Sequence, residues 1–366
     1  MAKNQFYIAV GEEAARGTAE STTVGFIPVN TAAFPTYEPT DEPVLDFRGE
    51  QTALGDSRYR RNSEKWSASF DIPMFTESGT TAGMMGTILK HFFGGVTSTQ
   101  NASTGQYFHM LYPVSDPFAT GNLGTKALTL NTNITQNAST IQNHVFDGGR
   151  VSALTFSQSV GSPLQVSASF MGQQHTVSTA IATPTYAAEN LLCDYDKLKA
   201  YFGAVSGVTR TGTAPAYTDM VLNDSVLFCP DSITVTIANG LNDKQLLCGS
   251  KYPTKTLLGK YTCTVEMTID FEDPSSGFSS YDDFVAWHAG LSTISLYLNW
   301  DTGTTAGTGD NHQFGLDIPI ALRGGGQPSI STDADPTITL KYTAEMDLTT
   351  TQYMIGAYLK NTAATI

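Results

Sequence analysis

The clearest periodicity in the chain runs from Tyr261 to Glu272. Tyr261, Cys263, Val265, Met267, Ile269 and Phe271 alternate with Thr262, Thr264, Glu266, Thr268, Asp270 and Glu272. A period of two places successive side chains on opposite faces, so this stretch is a strand with one apolar face and one face of threonine and carboxylate. Trp66–Ile72 repeats the pattern, with Trp66, Ala68, Phe70 and Ile72 against Ser67, Ser69 and Asp71. Further strands are predicted near 106–112, 151–157, 164–170, 233–237, 293–300, 313–322 and 337–348. Two stretches change period. Met84, Met85, Ile88, Leu89, Phe92 and Phe93 follow helical spacing and stop at Gly94-Gly95, and Tyr281–Ala289 reads as a second short helix ended by Gly290.

The order of these elements repeats. Val44–Phe47, a polar connection from Arg48 to Lys65, the Trp66 strand, a helix and further strands make one series. Ile233–Ile237, a second long connection, the Tyr261 strand, a helix and further strands make the next. The repeat is one of element order, not of residue identity. It divides the chain into an N-terminal arm (1–42), a first β module (43–172), a connecting region (173–230) rich in Gly, Thr and Ala, and a second β module (231–366). The arm carries one apolar island, Phe26-Ile27-Pro28-Val29, and is either disordered or packed on a surface of its own subunit or of a neighbour.

Composition narrows the function classes. The chain has 366 residues, enough for more than one core, but only 15% are charged, and Thr, Ser, Gly and Ala fill the difference. With 34 acidic against 20 basic side chains the formal net charge is −14. Such a surface repels phosphate and argues against tight nucleic-acid binding, though not against DNA passing without specific contact. The N-terminal residues have no apolar run of signal-peptide length, and no stretch reaches the roughly 18 to 20 apolar residues of a membrane span, so no membrane partner is expected. Cys193, Cys229, Cys248 and Cys263 stand singly, without the pairing that zinc requires.

No catalytic constellation emerges. His91, His109, His144, His175, His288 and His312 share no metal-ligand spacing on one element. Gly148-Gly149 and Gly324-Gly325-Gly326 fit neither a dinucleotide nor a P-loop pattern, and no Gly-x-Ser-x-Gly elbow occurs. Glu266 and Asp270 are a conceivable hydrolase pair, yet they stand in an open row of threonines. Asp282-Asp283 suits the positive end of the second helix. No catalytic, cofactor or metal residue is therefore assigned. The basic cluster Arg58, Arg60, Arg61 with Lys65 is the one local charge anomaly: it reads as a solvated loop tip or as a docking loop for an acidic surface on another copy, with nucleic-acid contact disfavoured by the net charge of the chain.

Several segments together resemble the major tail tube proteins of long-tailed bacteriophages, of the type with a duplicated tube module. These are Gly11–Thr18 (GEEAARGT) followed by Phe26-Ile27-Pro28, Trp66–Phe70 (WSASF), the helix closing on Phe92-Phe93-Gly94, Gly149–Phe156 (GRVSALTF), Leu164–Phe170 (LQVSASF) and Ser232–Asn239 (SITVTIAN). The resemblance implies an all-β, β-rich α+β fold of two tandem β-sandwich modules, each with a short flanking helix. It implies a non-enzymatic virion protein, made in the host cytoplasm, that forms stacked rings around a channel for genome ejection. Two modules per chain would make a trimer, a pseudo-hexameric ring, with tape measure, terminator and distal tail proteins as further partners and double-stranded DNA in transit. Ser67, Ser69, Asp71, Thr262, Thr264, Glu266, Thr268 and Asp270 are then the lumen candidates, and Arg58, Arg60, Arg61 and Lys65 the inter-ring candidates. The alternative is another virion or tail β protein, such as a terminator, a decoration protein or a glycan-binding adhesin; a β-sandwich glycan hydrolase is a remote third.

Overall fold

All strand pairings among the described residues are antiparallel. The computed structural model describes residues 6–366 except 22–23, 31–33, 44–58, 78–83, 102–104, 138–139, 179–183, 187, 224–226, 247–249, 275–276 and 331–334. Val44–Phe47, Arg58 and Cys248 therefore lie outside the described residues. In chain order the first elements are β1 (Ile8–Glu13), β2 (Val24–Ile27), β3 (Thr36–Pro43), β4 (Tyr59–Pro73), helix α1 (Met85–Phe93), β5 (Gly94–Gln100), β6 (Tyr107–Pro113), β7 (Ala127–Asn137), β8 (Thr140–Ser159) and β9 (Gln165–Gly172). Next come β10 (Gln174–Ser178), β11 (Leu198–Gly203), β12 (Val208–Thr213), β13 (Ala216–Leu222) and β14 (Leu227–Phe228). The remainder is β15 (Ser232–Ala238), β16 (Asn242–Lys244), β17 (Lys255–Leu257), β18 (Thr262–Asp270), helix α2 (Ser280–Ala289), β19 (Thr293–Thr305), β20 (Asn311–Gly325), β21 (Pro328–Ser329), β22 (Thr337–Ala344) and β23 (Gly356–Asn361).

The central sheet runs β3-β4-β9-β8-β15-β18-β22, with β21 and the end of β20 on the far side of β22. A second sheet, β14-β11-β19-β20-β23-β6-β5, covers one of its faces. Between the two lies the main core. The Phe156 ring stacks on Phe314 at 5.5 Å, Phe314 stacks on Trp300 at 5.6 Å, and Phe202 meets Tyr342 edge-on at 5.3 Å. Trp300 donates its indole N–H to Gln158 Oε1 at 2.8 Å, so the buried polar atom of each is satisfied. The first half of β8 leaves the central sheet and carries β10 on one side and β7, β1 and β2 on the other.

The helices sit where the sequence places them. Glu77 caps α1 from outside the helix, its carboxylate accepting from the Met85 and Gly86 backbone N–H groups. Tyr261, just before β18, donates to the Phe92 carbonyl at 3.0 Å, which ties α1 to the second half of the chain. Ser279 caps α2 by accepting from Asp282 N–H at 2.9 Å. Asp282 is exposed, but Asp283 is buried, where it accepts from Arg323 and from Tyr342 Oη and so fastens α2 to the sheet.

Three segments differ from the sequence reading. Residues 8–13 and 24–27 of the N-terminal arm are strands, and Ile8, Val10 and Ile27 lie in the main core of their own subunit. Tyr59–Lys65 is not connection but the start of β4, paired with Glu38–Pro43. This β3–β4 ribbon projects beyond the core and lacks an apolar face, so its strands leave no hydrophobic alternation to detect. Residues 173–230 supply β10–β14, and Tyr201, Phe202, Val208, Tyr217 and Met220 among them are buried. The β12–β13 hairpin folds over the outer face of the covering sheet, against Tyr297, Tyr353 and Tyr358. It is pinned by Arg210, which binds both oxygens of Asp317 at 2.7 and 2.8 Å.

Trp66 shows why glycine is required beside β4. A Cβ on Gly172, its cross-strand partner, would lie 2.2 Å from the Trp66 ring. The indole N–H donates to the Asp147 carbonyl at 2.8 Å. Near this point burial of Glu12 would raise its pKa, but hydrogen bonds from His91, Lys126 and Lys90 outweigh it and hold the carboxyl well below the usual range. Asp147 is pushed up to about 7 by burial and by the Glu13 charge.

Two measurements test these energetic assignments. Asp317→Ala leaves Arg210 buried without its partner and should cost about 3 kcal/mol or more in urea unfolding. Glu77 is fully buried and its pKa is pushed up to about 8 by burial, against about 4.5 for an ordinary glutamate. A carboxyl with a raised folded pKa contributes stability that is complete below about 4.5 and lost as pH rises through about 8. Glu77→Gln keeps the accepting oxygen, so across that pH window its unfolding free energy should fall less steeply than that of the parent chain.

Candidate functional surface

The large apolar residues of the central sheet turn toward the core, Met171 excepted, which leaves a mostly polar face on the other side. Register determines its membership. Ser69 of β4 faces Ser169 of β9, which is opposite Ala153 of β8, then Ala238 of β15 and Thr262 of β18. The next row is Asp71, Ser167, Thr155, Thr236, Thr264 and Thr343. The row after that contains Gln165, Ser157, Thr234, Glu266 and Lys341. Not one of these side chains is buried.

All eight lumen candidates from the sequence therefore occupy one face of one sheet. Ser67, Ser69 and Asp71 stand on β4, and Thr262, Thr264, Glu266, Thr268 and Asp270 on β18, with β9, β8 and β15 between them. The sequence reading misses that these intervening strands and β22 extend the face without interruption. Their signal is present in the Ser/Thr positions of Gln165–Phe170 and Ser232–Ile237. What the sequence lacks is the register that aligns those positions.

The face carries little net charge. Glu266 and Lys341 are cross-strand partners and pair at 2.8 Å, both half-exposed. Glu266 and Asp270 are four residues apart on a regular strand, about 13 Å at 3.3 Å per residue. That exceeds the separations of retaining or inverting glycosidases, about 5 to 9.5 Å.

The inter-ring candidates divide. Arg61 donates to both oxygens of Asp41 at 3.0 and 3.4 Å, and Lys65 pairs with Glu38 at 2.9 Å, all across the β3–β4 ribbon. The Arg61 hydrogen bond lowers the Asp41 pKa. Arg60 stands opposite Glu42 in register. The histidines are less scattered than their numbering suggests. His144 and His175, on β8 and β10, approach to 2.9 Å between ring nitrogens and pack with Phe34, Phe146 and Tyr37 at the base of the ribbon. Among the described residues no three His, Cys, Asp or Glu side chains form a metal-binding group, and no helix is long and apolar enough to cross a membrane.

Residues 4–344 match the family model described as phage tail tube protein. The chain belongs to the phage tail tube family. This tail tube subunit is accordingly a structural component of a virion tail, from a structural family whose members assemble with other tail proteins. No curated protein matches the chain. The half-exposed Glu266–Lys341 pair contributes little to folding of the tail tube subunit, so Glu266→Gln should change its unfolding free energy by less than about 1 kcal/mol while leaving one uncompensated cation on the polar face.

Proposed function

We propose that the tail tube subunit forms a ring of three copies whose Ser/Thr face lines the channel, and that such rings stack into the tube through which the genome is ejected. The observation that carries this reading is the continuous, mostly Ser/Thr face spanning β4, β9, β8, β15, β18 and β22 above a predominantly apolar underside. A surface of hydroxyls offers phosphate few cations to hold, so a duplex passes without the counterion release that drives binding.

The pairing order supports the doubled module. In the first half a hairpin, β3–β4, is followed in space by β9 and then β8. In the second half the hairpin β15–β18 is followed by β22 and then by β21 and the end of β20. Each hairpin precedes a helix, α1 or α2, in the chain. The β8–β15 ladder joins the two sets edge to edge. Repeating that junction between copies would bring the outer edge at β21 against the outer edge at β3, and closing the circle removes both. Three chains of two modules give pseudo-sixfold symmetry. Tape measure, terminator and distal tail proteins are the partners expected at and within such a tube.

Negative-stain images of the purified protein test this directly: rings with threefold symmetry and a pseudo-sixfold outline are expected, whereas a persistent monomer at high concentration overturns the reading. A second test makes the face cationic. Thr236 and Thr264 are cross-strand neighbours, and Thr236→Lys with Thr264→Lys should leave rings intact while adding salt-sensitive DNA retention and slower ejection. Unchanged ejection would remove the polar face from the channel.

A further inference from the structure

The two ends of the central sheet carry opposite charge, and this bears on how rings meet. β15 leaves the sheet at Ala238 and β18 enters it at Thr262, its direct partner, so the connection between them, described at 239–246 and 250–261, emerges at one end. That loop presents Lys244, Lys251, Lys255 and Lys260, all exposed. Its one described carboxylate, Asp243, is already bound by Arg16 at 2.7 Å. The loop is also firmly held. Its neck closes where Gly240 and Gly259 touch, a Cβ on Gly259 falling 2.5 Å from the Gly240 carbonyl oxygen. The Lys251 carbonyl accepts from Glu64 N–H of the ribbon at 3.0 Å, and Arg16 also donates to Thr256. The described ribbon at this end carries four carboxylates, Glu38, Asp41, Glu42 and Glu64, against Arg60, Arg61 and Lys65, with Arg61–Asp41 and Lys65–Glu38 paired and Lys251 acting on Asp41, so the four loop lysines still leave this end net positive.

At the opposite end the exposed groups are Asp231, Asp270, Glu272, Asp273 and Asp335. Backbone hydrogen bonds hold this rim together, from Asp231 N–H to the Thr268 carbonyl at 2.8 Å and from Phe271 N–H to the Pro336 carbonyl at 2.7 Å. No ion pair neutralises these five carboxylates among the described residues. The nine residues of β18 separate the rims by about 30 Å, several times the roughly 8 Å screening length at physiological salt. The rims therefore do not neutralise one another within one subunit.

We infer that a second copy of this chain docks end to end, its acidic rim on the Lys244–Lys260 loop, and that this pairing sets the polarity of ring stacking. A second observation favours it. Lys244 and Lys255 stand directly opposite each other in the β16–β17 hairpin, a like-charge pair that destabilises an isolated hairpin. An external carboxylate relieves that repulsion. Identical rims cannot pair with each other, so stacking is head to tail and extends without limit.

The inference rests on the ring reading, and the experiment separates the two. One variant carries Lys244→Glu, Lys251→Glu, Lys255→Glu and Lys260→Glu; the other carries Asp231→Lys, Glu272→Lys and Asp273→Lys. Negative-stain imaging and sedimentation at about 0.15 M and about 1 M NaCl are the readouts, with circular dichroism to verify folding. Each variant alone is expected to form single rings with at least tenfold less tube, and a mixture of the two is expected to restore stacks. Parent tubes should shorten at the higher salt. Normal tubes from either variant, or folded variants whose mixture fails to stack, overturn the charge pairing and leave the ring reading standing. Absence of rings from the parent protein overturns both.

Discussion

Strand β8 crosses from one part of the subunit to another, and its ladder with β15 over Ala153–Ser159 is where the two halves of the chain become a single sheet. Within that ladder Thr155 and Ser157 join the polar face beside Ser167 and Gln165 of β9, while Leu154, Phe156 and Gln158 turn to the core. One strand thus orders both surfaces. Beneath the ladder, β23 pairs with β6 and joins the halves again in the covering sheet. A hydrogen-bonded seam in both layers, with aromatic stacking between them, leaves no compliant interface at which the halves could turn against one another.

Three strands of that seam, β6, β8 and β15, are legible in the sequence, but their pairing across the chain is not. Period-two alternation exposes β4, β9, β15, β18 and β22 because each has one buried and one open face. The same logic fails where neither face is buried, as in β3 and the start of β4. Alternation is also absent where both faces are buried, as in Phe314–Ile320 of β20, where all but the last residue is buried, yet the strand expected near 313–322 is there. Helix α1 is recovered from its apolar spacing, but its cap is not, since Glu77 reaches the helix from outside it. Asp283 reads from the sequence as a dipole-facing surface residue because its partner Arg323 is 40 positions away, a distance over which spacing carries no information.

The polar face illustrates a different limit. Its residue types are visible strand by strand, while its extent depends on registers set by long-range pairing. Ser and Thr suit such a surface because their short side chains offer hydroxyls without charge, and β-branched threonine also favours the extended backbone. The result is a broad surface whose chemistry is set by repetition of one functional group, without a pocket or a converging set of polar atoms.

β23 occupies the middle of the covering sheet, between β20 and β6, although it comes from residues 356–361. A chain emerging from the ribosome amino end first holds β6 and β20 with unsatisfied backbone edges until those residues have been made. Contacts this distant in sequence close slowly. The layer that supports the polar face is therefore closed only when β23 has paired with both of its neighbours.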